Sequence, residues 1–230
     1  METAKVSEMF ISYQGEGPFA GSRQLFVRFY GCNRACIYCD TLPESYETFT
    51  KDGLMRKVLG FKDAYNELVV TGGEPLLFAD FLRQFLACFK SFSEKAVYLE
   101  TNGTLPGELS KVIDHVDIVA MDFKFPSSSG DTDDIWDAHE KFAETAAQKE
   151  LIAKAVITDR TTMDDVKHMA RIIRGIKKDL NVVLQPVTPM NAMIREPDGE
   201  TLSGFAEYLK NTTEKDIMIL GQLHRCLGIR

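Results

Sequence analysis

No apolar run in this chain approaches the roughly 18 residues that a membrane-spanning helix needs. Its opening, METAKVSEMF, lacks the basic start and apolar stretch of a secretory signal. An excess of basic residues is missing too: 27 Lys and Arg against 34 Asp and Glu leave a net charge of −7. That balance argues against a general binder of nucleic acid or of an anionic membrane surface. There is no internal repeat and no low-complexity tract, and Trp136 is the only tryptophan. Together these absences point to a cytoplasmic protein, where reducing conditions make grouped cysteines metal ligands or catalysts sooner than disulfides. What is present, 44% hydrophobic and 27% charged residues, is ordinary for a globular chain, and 230 residues favour one domain spanning 1–230.

Short apolar or β-branched runs at 25–30, 67–71, 96–100, 118–122, 151–157, 182–185 and 217–220 read as strands. Several are nearly unbroken, as in parallel strands covered on both faces. Between them, 78–92 and 163–178 carry apolar residues at helical spacing, and 136–147 and 202–209 do so more weakly. The alternation predicts βαβ units, a parallel sheet and an α/β fold of the partial (β/α)6 barrel type. Ligands then bind beyond the carboxyl ends of the strands, where the loops read GCNRACIYCDT, TGGEP, TNGT, KFPSSSG, TDRTT and PVTP.

The first of these loops holds Cys32, Cys36 and Cys39, three thiols within eight residues. Three thiolates can ligate three irons of a [4Fe–4S] cubane and leave the fourth open to a chelating ligand. Structural zinc is the competing reading, and it wants four ligands, commonly in pairs. Neither Cys88, on an apolar helical stretch, nor Cys226 makes a second pair, and His115, His139, His168 and His224 are scattered. Cys88 reads as a small buried hydrophobe.

Arg28 interrupts the apolar strand Phe26-Val27-Arg28-Phe29, so it meets either an internal carboxylate or a ligand carboxylate. Gln14 and Glu16 lie on a Gly-rich turn and can offer donors and acceptors to a ligand, as can the backbone of Tyr13 and Gly15 and the hydroxyl of Thr71. The alternative for this turn is a solvated loop. Gly72 and Gly73 permit close backbone approach to a ligand, and Lys124 could pair with a carboxylate.

CxxxCxxC, with Tyr38 before the third cysteine, resembles the signature of the radical S-adenosylmethionine (SAM) superfamily. Tyr13-Gln14-Gly15-Glu16-Gly17, Phe26-Val27-Arg28-Phe29, Cys39-Asp40-Thr41, Thr71-Gly72-Gly73-Glu74-Pro75, Glu100-Thr101-Asn102-Gly103 and Gln222-Leu223-His224 more narrowly resemble the 7-carboxy-7-deazaguanine synthases. That likeness implies a lyase of queuosine-type biosynthesis, which contracts the ring of 6-carboxy-5,6,7,8-tetrahydropterin and releases ammonia. It assigns SAM contacts to Tyr38, Cys39, Asp40, Gly73, Glu74, Asp122, Phe123, Lys124, Gln185, Pro186, Val187 and Thr188. It assigns the substrate to Tyr13, Gln14, Gly15, Glu16, Arg28 and Thr71, and Mg2+ to Thr41. It further implies an electron donor such as flavodoxin or ferredoxin, and a homodimer. A glycyl-radical activase and a non-catalytic iron–sulfur module are the competing functions. The acidic stretch 131–144 and the end 225–230 receive no role.

Overall fold

The computed structural model describes residues 2–229 except Leu42, Asp63, 131–133, Lys177 and Asn191. Arg230 and the start of the acidic stretch 131–144 therefore lie outside the described residues.

Among the described residues, nine strands form one open sheet in the order β3-β1-β2-β4-β5-β6-β7-β8-β9. The strands are β1 (Thr3–Tyr13), β2 (Arg23–Phe29), β3 (Glu47–Thr50), β4 (Glu67–Gly72), β5 (Val97–Thr101), β6 (Ile118–Phe123), β7 (Glu150–Ile157), β8 (Asn181–Pro186) and β9 (Ile217–Ile219). From β2 through β9, skipping β1 and β3, neighbours run parallel. The expected parallel half-barrel is therefore present. Sequence patterning missed the antiparallel edge, in which β1 pairs with both β2 and β3. Polar residues such as Lys5, Ser7 and Glu8 interrupt β1 and hide its strand character among the apolar runs.

The helices are α1 (Lys51–Gly60), α2 (Ala79–Phe92), α3 (Pro106–Val112), α4 (Pro126–Ser129), α5 (Trp136–Ala146), α6 (Met163–Gly175), α7 (Gly199–Thr213) and α8 (Leu223–Leu227). Side chains set their ends. Thr50, Thr162 and Asp198 accept from the backbone N–H of Gly53, Asp165 and Thr201 at the starts of α1, α6 and α7. α2 begins one residue later than the periodicity suggested, because Pro75–Phe78 forms a tight turn first. α6 stops at Gly175, short of 178, and α7 runs past both ends of 202–209. Within KFPSSSG, Pro126 opens α4 and Gly130 closes it in a left-handed conformation.

Alternation along the parallel strands divides their side chains between two faces. One set, including Val27, Phe29, Val70, Leu99, Val119, Ala153 and Leu184, meets the helices in the main core with Phe81, Phe85 and Phe89 of α2. Cys88 is partly buried against this core, so the expectation of a fully buried thiol is corrected. Trp136 belongs to the same core and stacks on His168 with centroids 4.8 Å apart.

The opposite set faces the inside of the half-barrel in two tiers. Phe26, Val69, Tyr98, Ile118, Ile152 and Val183 make an apolar cluster, against which Phe19 packs edge-on to Tyr98. Two residues further along their strands stand Arg28, Thr71, Glu100, Ala120, Lys154 and Gln185. The lower tier is a plug and the upper tier is polar.

Candidate active site

Above the polar tier opens a cavity of about 700 Å³, in the size range of ligand sites. It is lined by the turn at Tyr13, Gln14, Gly15 and Glu16, by Arg28 and Thr71, and by the cysteine loop from Cys32 to Thr41. Gly73, Asp122, Lys124, Lys154, Gln185, Val187, Thr188, Gln222 and His224 complete the wall. The loops expected to share one edge of the sheet do share it.

Hydrogen bonds between these loops shape the cysteine loop. Glu74 N–H donates to Gly31 O at 2.9 Å, Ile37 N–H to Ser129 O at 2.9 Å, and Asn102 Nδ2 to Asn33 Oδ1 at 2.8 Å. Gly73 lies so close that a Cβ there would stand 2.3 Å from Gly31 O and 2.8 Å from Cys32 Cβ. Burial raises the thiols of Cys32 and Cys36, against the pull of Lys124. Among the described residues, no three His, Cys, Asp or Glu converge as ligands of a single ion. A cubane takes one thiolate per iron, so its sulfurs stand further apart than the ligands of one ion. Three cysteines lining one cavity, beside a glycine cradle, fit a cluster.

Some of the expected contact residues lie behind the cavity wall. The Glu74 carboxylate is fully buried: it accepts from Leu76 N–H at 3.1 Å, Asn102 N–H at 2.8 Å and Thr101 Oγ1 at 2.9 and 3.0 Å. Burial pushes its pKa up to about 7 despite those donors. It braces two loops and is absent from the cavity wall, as are Phe123, which points into the main core, and Pro186. Gln14 lines the cavity, but its Nε2 donates to Gln24 Oε1 and Glu100 Oε1, both at 3.0 Å. Its Oε1 accepts from Glu16 N–H, so the amide orders the turn from within.

Arg28 has an internal partner: its Nε donates to Glu8 Oε2 at 2.9 Å. Its Nη1 reaches Thr41 Oγ1 at 3.5 Å, which links the arginine to the loop beyond the third cysteine. A guanidinium has five donors, so one carboxylate leaves capacity for a second.

A chain of buried charges crosses the floor. Lys124 Nζ lies 2.7 Å from Asp122 Oδ2, Lys154 Nζ lies 3.5 Å from the same oxygen, and Lys154 Nζ lies 2.5 Å from Glu16 Oε2. Burial would raise the carboxyl pKa values of Asp122 and Glu16, but Lys124 and Lys154 at Asp122, and Lys154 with Gln222 at Glu16, prevail and both are lowered. Among the described residues, Asp122 Oδ1 and Gln185 Oε1 are buried without a protein partner, on residues that line the cavity. Such orphaned acceptors suit a ligand bearing hydroxyl or N–H groups.

Sequence reasoning missed Lys154, Glu100 and Gln222 as site residues. Stepping by two from Ile152 or Tyr98 would have found the first pair. Gln222 Nε2 donates to Glu16 Oε1 at 2.8 Å and to Asp40 Oδ2 at 3.2 Å, while Arg225 Nη2 meets the same Asp40 oxygen at 3.0 Å. Burial would raise the Asp40 pKa, but these hydrogen bonds lower it. Leu223 N–H donates to Gly15 O at 2.8 Å, and a Cβ on Gly15 would lie 2.0 Å from His224 Nδ1. The C-terminal segment is thus strapped over the turn, and Gly15 gives it room.

A half-barrel with three cysteines on the loop after its first parallel strand defines a radical SAM protein. The family described as the Radical SAM superfamily matches residues 26–171, and this chain belongs to it. More narrowly, a 7-carboxy-7-deazaguanine synthase of Geobacter sulfurreducens is 34% identical over 98% of this chain and 97% of its own length. One from Methanothermobacter thermautotrophicus is 30% identical over 99% and 98%. The chain is a member of the 7-carboxy-7-deazaguanine synthase family. The crystal structure of QueE from Escherichia coli shares the fold, with a TM-score of 0.62 at 15% identity, covering 94% of this chain and 93% of that one.

Proposed function

We propose that this chain is a radical SAM lyase that converts 6-carboxy-5,6,7,8-tetrahydropterin to 7-carboxy-7-deazaguanine with release of ammonia. The observation that carries the reading is one cavity lined both by the cysteine loop and by Arg28 with the Glu16 turn. When bound, the cluster and SAM supply a radical that takes a hydrogen atom from the substrate.

The chain's own residues bind and orient. Cys32, Cys36 and Cys39 hold the cluster, and Gly73, Asp122, Lys124, Gln185, Val187 and Thr188 face SAM. Tyr38 stands under the Lys124 ammonium, whose Nζ is 5.3 Å from its ring centroid. Arg28 takes the substrate carboxylate, and the turn from Tyr13 to Glu16, with Thr71, takes the pyrimidinone edge. The apolar plug below and the strapped C-terminus above keep water from the reacting atoms.

Mg2+ on Thr41, a reductant such as flavodoxin or ferredoxin and a homodimer belong to the same reading and rest on the family likeness, while a cytoplasmic location rests on the sequence pattern. Among the described residues, no helix is long and apolar enough to cross a membrane.

The test is anaerobic reconstitution with dithionite, SAM, Mg2+ and 6-carboxytetrahydropterin. Formation of 7-carboxy-7-deazaguanine is the expected result. SAM cleavage only beside a partner protein would favour an activase, and an intact cluster without any cleavage would favour an electron-transfer module.

A further inference from the structure

Lys154 has no place in the assignments above, yet it sits at the centre of the cavity floor. It stands on β7 between Ala153 and Ala155, whose side chains belong to the main core. Its own side chain is turned to the cavity and is only 16% exposed. A lysine held so far from water needs carboxylate partners, and it has two. Glu16 comes from the turn after β1 and Asp122 from the end of β6. Lys154 is therefore a bridge between the substrate wall and the cofactor wall.

The aminopyrimidinone edge of a pterin presents two N–H donors side by side, one on the ring and one on the exocyclic amine. A carboxylate is the acceptor that matches them, provided it stays ionised and keeps its orientation. Glu16 meets those conditions through three neighbours. Gln222 Nε2 and Gln185 Nε2 donate to Oε1 at 2.8 and 3.3 Å, and Lys154 Nζ meets Oε2 at 2.5 Å. Of the three, only Lys154 carries charge. The other charges nearby act through the floor: Asp122 behind Lys154, Lys124 behind Asp122, and Glu100 across the Gln14 amide. Without Lys154, burial and the Asp122 carboxylate would both press Glu16 towards its protonated form.

We propose that Lys154 is a positioning residue that holds Glu16 as an oriented carboxylate for the aminopyrimidinone edge of the substrate. This rests on the substrate reading above. Lys154 meets Glu16 at 2.5 Å but the SAM-side Asp122 only at 3.5 Å, and Asp122 keeps Lys124 at 2.7 Å, so its removal acts on pterin recognition first and on SAM affinity and turnover second.

The probe is 6-carboxypterin, the fluorescent oxidised relative of the substrate, titrated into the reconstituted holoenzyme with SAM present. Loss of one charge-assisted hydrogen bond predicts that Lys154→Met weakens binding by about tenfold or more. KM for the tetrahydropterin rises in proportion, while kcat changes by less than about threefold. The loss deepens as pH falls, because Glu16 without its lysine gains a proton more readily. Lys154→Arg restores most of the affinity, and in a Glu16→Gln background Lys154→Met has little further effect. Wild-type pterin affinity in Lys154→Met would overturn the inference, as would equal losses of pterin and SAM affinity, or an undiminished loss in the Glu16→Gln background. If Lys154→Met does not fold, Glu16→Gln alone must weaken the pterin while Lys154→Arg keeps it, and Glu16→Gln binding like wild type would overturn the inference. A wild-type enzyme that neither binds 6-carboxypterin nor forms product would instead sink the substrate reading itself.

Discussion

Arg28 shows how one side chain can serve structure and recognition together. Its Nε is fixed by Glu8 on the neighbouring strand, which orients the guanidinium without using all of its donors. Arg28→Ala is expected to keep the cluster and SAM affinity while product formation falls by about a hundredfold or more, as when a bidentate carboxylate contact is lost. Cluster absorbance, equilibrium binding of SAM and single-turnover product yield separate these effects. Normal turnover by this variant would refute the carboxylate assignment. At this scale the sequence was legible where chemistry stood out from its surroundings: grouped cysteines, an arginine in an apolar strand, glycine pairs after strands. Lys154 and Glu100 escaped because their strands were read as apolar runs without asking which face each position took. The carboxylate of Glu74 turns instead to Leu76, Thr101 and Asn102, and a motif names a residue without saying whether its side chain or its backbone meets the ligand.

Among the elements, the loops beyond the strands hold one another, and Glu74 is the joint. It accepts from the tight turn after β4 and from the loop after β5, and its own N–H donates to Gly31 just before the first cysteine. Glu74→Ala would leave buried N–H groups without acceptors, a loss of about 2 kcal/mol or more. Glu74→Gln should lose less, because its amide oxygen still accepts. Urea unfolding measures both, and equal stability of all three proteins would refute the bracing role. The parallel strands were found within two residues of their ends because β4 to β8 are nearly continuous apolar runs. β1 carries Lys5, Ser7 and Glu8, and β3 has only four residues, so neither gave a usable pattern. The start of α7 was missed because Gly199, Glu200 and Thr201 are polar, though Asp198 caps it.

Across the whole molecule, buried titratable groups tie stability to pH. His139 is fully buried, with Nε2 3.1 Å from Asn102 O, and burial lowers its pKa from the ordinary 6.5 to about 4. The unfolded chain therefore binds a proton that the folded one refuses, so this contribution is complete above 6.5 and fades as pH falls towards 4. Glu74 acts in the other direction. Its raised pKa adds stability that is full below the ordinary 4.5 and is lost as pH rises through about 7. Between pH 4.5 and 6.5 the two oppose each other, and single substitutions should expose them. His139→Gln is expected to lose stability at pH 7 yet lose less than wild type on moving to pH 5, read from urea midpoints at both pH values. A parallel fall in the two proteins would show that His139 is not the acid-sensitive group.

The apolar tier of Phe26, Val69, Tyr98, Ile118, Ile152 and Val183 turns the interior into a blind chamber. Its doorway is framed by the cysteine loop, the turn at Glu16 and the strapped α8. On the proposed function, pterin and SAM enter by that doorway and product and ammonia leave by it. A reductant that docked over the doorway would delay departure, so turnover is expected to level off or fall at saturating reductant.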